Sequence, residues 1–127
     1  MENCLLTITT TVDGQETKTT KQAEGECSLS SMRLTYCEEN AQVFLSLSDG
    51  RLEIFRTGDY SLHLFLKQGE TLKGSLSIAN SEGELTVHTQ KLAYSQTQKS
   101  VLLLAHYTLY FGCETQETKI RLQAKFY

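Results

Sequence analysis

Proline is absent from all 127 residues, where average usage of about 5% would supply roughly six. Each proline removes a backbone N–H from a sheet ladder, so a chain without any suits long, uninterrupted strands. Tryptophan is absent too, and no run of Lys or Arg occurs. Twelve basic residues stand against 15 acidic ones, a net charge of −3. That balance argues against nucleic acid, whose affinity rests on neutralising many phosphates. It also argues against a polybasic membrane patch. No apolar stretch approaches the roughly 20 residues a membrane helix needs, so no membrane partner is expected.

Four cysteines, Cys4, Cys27, Cys37 and Cys113, include no C-x-x-C pair. The usual ligand spacing of zinc and thioredoxin-type sites is therefore missing. The opening Met-Glu-Asn-Cys-Leu-Leu carries an acid where a signal peptide carries bases. A cytoplasmic location with reduced thiols is the expectation. Nucleophile-elbow, P-loop and dinucleotide-binding fingerprints are likewise absent. No cofactor, no metal and no catalytic residue is expected.

What the chain has is alternation with period two. Leu6, Ile8 and Val12 share one face, and Met32, Leu34 and Tyr36 another. Val43, Leu45 and Leu47 run into Asp49-Gly50, the strongest short-range hairpin signal in the chain. Leu52 and Ile54 follow, then Tyr60 to Leu66, Leu72 to Ile78, Leu85 and Val87, Val101 to Phe111, and Ile120 to Phe126. The spacing predicts an all-β chain, with residues 1–127 forming one domain. Short loops favour a single antiparallel up-and-down meander of about ten strands over a two-sheet sandwich, and closure into a β-barrel removes both exposed edges. The inward parity shifts between Leu29 and Met32 and again between Val87 and Leu92, so β-bulges are expected near Ser30-Ser31 and Gln90-Lys91. The second strand, Gln15 to Glu24, has no apolar face. It reads as a protruding ribbon or a polar wall at the barrel mouth.

His63, His88 and His106 lie opposite their strands' apolar stripes and are expected to point outward without converging on a metal. Tyr36, Glu38 and Arg56 continue inward parities. In a meander they meet at one rim, with roughly 10 Å between their backbones across one intervening strand. They form a candidate polar cluster, read either as an anchor for a ligand head group or as a network that closes the barrel end and fixes register. The balance favours the network, because buried charges are usually paired for structural reasons. Leu102, Leu104 and Tyr110 sit outward on a strand whose inward row is already apolar. They form a candidate interface, suggesting a homodimer across strand nine.

Leu34-Thr35-Tyr36-Cys37-Glu38, Arg56-Thr57-Gly58, Gly83-Glu84-Leu85 with Thr89, and Tyr107-Thr108-Leu109 before Gly112 resemble, in order and spacing, the YwiB-like family of small bacterial barrel proteins. The resemblance runs nearly end to end. It implies a calycin-like, lipocalin-shaped meander and a domain of unknown function, with no established catalytic residues. True lipocalins carry a Gly-x-Trp motif that this chain lacks. Intracellular fatty-acid-binding proteins insert two helices where this chain has Gln15 to Glu24, and their C-terminal Arg-x-Tyr clamp has no counterpart in Arg121 and Tyr127. The reading that follows is a non-enzymatic interaction or structural module with a largely filled core. The alternative is a carrier or sensor holding a small apolar or amphipathic ligand inside the barrel.

Overall fold

Period-two alternation becomes an inside and an outside. The computed structural model describes residues 2–127. It contains β1 (Glu2–Val12), β2 (Gln15–Cys27), β3 (Ser31–Glu38), β4 (Ala41–Ser48) and β5 (Arg51–Gly58). β6 (Tyr60–Lys67), β7 (Thr71–Ile78), β8 (Ser81–Gln96), β9 (Ser100–Phe111) and β10 (Glu114–Phe126) complete it. Among the described residues there is no helix. Every strand pairs antiparallel with its sequence neighbours, and β1 pairs with β10 to close the barrel.

Turn chemistry sets the hairpins. Asp13 and Gly14 take φ of 49° and 88°, and Asp49 and Gly50 take 53° and 74°. Two consecutive positive φ values give the turn whose twist matches the flanking strands. Pairing is then strictly in register, with Leu34 opposite Leu45, Leu45 opposite Ile54 and Ile54 opposite Leu64. The same inward row continues through the buried Leu6, Val87, Leu103 and Leu122.

One expected bulge lies where the alternation placed it. The β8–β9 register shifts between Thr89 and Lys91. Gln90 repairs the broken ladder, its amide donating to the carbonyls of His88 (3.0 Å) and His106 (3.1 Å) while its oxygen accepts from Thr108 (2.6 Å). The other expected bulge, near Ser30-Ser31, is a chain reversal instead. β2 runs on to Cys27, and the Ser28 hydroxyl accepts from the amides of Ser30 (3.3 Å) and Ser31 (3.1 Å). Leu29 is 72% exposed at the apex and belongs to no inward row. A turn resets parity as completely as a slip does, which is why the two were indistinguishable from alternation.

Pairing is uneven around the wall. β2 pairs with β1 along Gln15–Gly25 but with β3 only along Glu24–Cys27. β6 and β7 pair only along Tyr60–His63 and Ser75–Ile78. The turn after β6 closes that second gap, because Gly69 donates to the Thr89 carbonyl (2.8 Å) and Thr89 to that of Glu70 (3.1 Å). No ladder pairing closes the first gap.

Candidate functional site

The barrel is filled at one end and hollow at the other. At the filled end Met32, Leu47, Leu64, Leu66 and Val101 are fully buried. Two turns cap it, with Cys27 Sγ donating to the Thr97 carbonyl (3.1 Å) and Gln96 to that of Ser28 (3.2 Å). The opposite end holds a cavity of about 360 Å³ that opens to solvent. Its floor is apolar: Ile8, Val43, Leu45, Ile54, Leu103 and Leu122. Its mouth is polar, with Thr10, Thr17, Thr19 and Lys21 on one side and Tyr36, Glu38, Arg56 and Tyr60 on the other. The expected largely filled core is thus packed at one end and open at the other. Inward alternation reports which side chains face the interior, not the girth they have to fill.

Tyr36, Glu38 and Arg56 line this one mouth. Register puts Tyr36 opposite Val43 and Val43 opposite Arg56, so one strand separates the tyrosine from the arginine. Arg56 Nε lies 3.6 Å from Glu38 Oε2. Its other nitrogens donate to Asp59 Oδ1 and to the Tyr60 carbonyl, both at 2.9 Å, and the guanidinium stacks 3.7 Å from the Tyr60 ring centroid. Burial acts to lower the Arg56 pKa, but the Asp59 hydrogen bond, with Tyr60 and Glu38, outweighs it and holds the value above normal. Asp59 is held below its ordinary range chiefly by the bond to Arg56. Burial, reinforced by Glu38, pushes the Tyr36 phenol up, and burial does the same to Tyr107, so both remain hydrogen-bond donors.

Three members of the mouth went unseen in the sequence. Asp59 follows the turn glycine three residues after Arg56 and carried a local signal that alternation does not read. Tyr107 lies in an apolar inward row and is buried with the core, so alternation marks it as inward without marking it as cavity lining. Lys21 belongs to the anomalous second strand. That strand forms a polar wall, with Thr17, Thr19 and Lys21 lining the cavity while its β3-facing edge stays unpaired from Gln15 to Ala23 among the described residues.

The three histidines point outward. His63 contacts Glu53 (2.5 Å), His88 contacts Thr71 (2.8 Å), and His106 lies 3.6 Å from Glu117. Each neighbour comes from an adjacent strand, and no two histidines share one. Leu102 and Leu104 also face outward, flanked in register by Ser95, Ala93, Gln123 and Arg121. Tyr110 lies farther along the strand, beyond His106 and Thr108, so the three do not form one continuous row.

The fold compares with a solved structure, the crystal structure of the ywiB protein from Bacillus subtilis. The TM-score is 0.84 at 13% identity, covering 99% of this chain and 92% of that one. At that identity the likeness concerns the fold alone. No curated protein matches the chain. The sequence itself matches, over residues 5–123, the family described as Domain of unknown function (DUF1934), and the chain belongs to that family.

Proposed function

We propose that this barrel is a non-catalytic binding module, a carrier or sensor that holds a small amphipathic molecule in its hollow end. The observation that carries the reading is the cavity of about 360 Å³, above the lower bound of roughly 300 Å³ for small-molecule pockets. Its apolar floor and polar rim match a molecule with an apolar body and one polar end. Arg56, Glu38 and Asp59 pair with one another at the rim, which suits anchoring better than proton transfer. Four unbridged cysteines suit a reducing cytoplasm.

Plugging the floor tests the reading. Ile54→Trp adds bulk where Ile54 lines the cavity. The variant should lose binding of decanol, followed by chemical-shift changes, while keeping a β-type circular dichroism spectrum. Val43→Phe serves if the tryptophan variant does not fold. A folded plugged variant that binds decanol as wild type does would sink the proposal.

A second reading, association of two copies across β9, draws on the exposure of Leu102 (36%) and Tyr110 (43%). Because the row is interrupted, the contact would centre on Leu102 and Leu104. Sedimentation should then show a wild-type dimer, and Leu104→Lys should give a monomer with its barrel intact. A monomeric wild type ends this reading.

A further inference from the structure

We propose that the ligand is an amphipathic anion whose head group is held by Lys21 at the open seam between β2 and β3. The inference rests on the cavity reading above and deepens it. It begins with pairing. β2 meets β3 only along Glu24–Cys27, so from Gln15 to Ala23 its outer edge has no strand beside it. This is the stretch whose Thr17, Thr19 and Lys21 line the cavity. The wall there is open sideways, and one side chain spans it. Lys21 Nζ donates to the Cys37 carbonyl at the end of β3 (3.0 Å) and lies 5.4 Å from the Tyr36 ring centroid.

Charge accounting then separates the two cations of the mouth. Arg56 is already faced by two carboxylates, Glu38 and Asp59, and donates to a backbone carbonyl besides. An anionic head group placed there would meet two like charges before it met a free donor. Lys21 forms no ion pair among the described residues. One of its three protons is committed to a neutral carbonyl, which leaves two donors and an unneutralised charge. Tyr36, which lines the same mouth, supplies a neutral hydroxyl donor, and Glu38, the acid that lines the cavity, is paired with Arg56. The apolar floor lies below, so a tail points inward while a carboxylate or sulfate stays at the seam. There the solvent is close enough to spare it the cost of full burial.

Decanoate and decanol, which share a tail and differ in charge, are the probes. Titration of the wild type below micellar concentrations should show decanoate binding about tenfold tighter, the scale of one charge-assisted hydrogen bond. Lys21→Met should remove that preference, so that decanoate and decanol bind the variant equally, and Lys21→Arg should keep it. Equal wild-type affinity for both probes overturns the role of Lys21 while the cavity reading stands. So does a preference that persists in Lys21→Met. Failure of the wild type to bind either probe overturns the cavity reading itself.

Discussion

Gly25→Ala should destabilise the barrel by about 3 kcal/mol or more, the upper range for forcing atoms into a packed site, whereas Gly83→Ala should stay within about 0.5 kcal/mol of wild type. Both glycines lie in strands with ordinary φ, so the contrast isolates space from backbone freedom. Gly25 is the point where β2 passes from one neighbour to the other, opposite Glu2 on β1 and Leu34 on β3. A methyl group there would fall far inside van der Waals contact with the Arg33 carbonyl oxygen, and the neighbouring atoms are all β3 backbone, which leaves nothing flexible to yield. At Gly83 the nearest atom would be 3.9 Å away, the Leu76 carbonyl oxygen. Since β2 and β3 share only four paired residues, a displacement at Gly25 opens the whole seam. Urea midpoints measure the difference, and equal midpoints for the two variants would show that the seam is not held at Gly25.

Arg56→Ala should cost about 2 kcal/mol, the range for lost hydrogen bonds of a charged group, and Arg121→Ala much less. The Arg56 side chain is only 12% exposed, and its removal takes away the Tyr60 stack, two hydrogen bonds and the charge facing Glu38. A fully buried pair would cost about 3–5 kcal/mol to break. The Glu38 and Asp59 side chains, 42% and 59% exposed, stay hydrated when stranded, so the effect is smaller. Acid should weaken the same network. Asp59 has a folded pKa below its ordinary 3.8, so its contribution is present above that value and fades as pH falls through the folded one. In Arg56→Ala this acid-side loss should shrink, as read from urea midpoints across that range.

The strand count, the closure and the bulge at Gln90 were legible because alternation and turn residues report local geometry. So was the meeting of Glu38 and Arg56, since a meander fixes which strand ends share a rim. The hollow was not legible. It depends on barrel girth and on how far β2 outruns β3, both of which are properties of pairing between strands. Ser28 to Ser31 showed parity resetting, but only the length of β2 decides between a bulge and a turn. Charge was hidden in the same way. Lys18, Lys91, Lys119 and Arg121 are scattered in sequence, yet three strands bring them to one outer groove with His106, Glu16 and Glu117. The cation that matters most to the mouth, Lys21, was visible only as part of a strand with no apolar face.

The central claim is that the ligand chain lies inside the hollow end. Intermolecular nuclear Overhauser effects from bound decanol test it most directly. The claim predicts contacts from the decanol methyl group to the side chains of Val43, Leu45, Ile54 and Leu122, the apolar floor of the cavity. Contacts confined to Leu102 and Leu104 on the outer wall, with none to the floor, would contradict it.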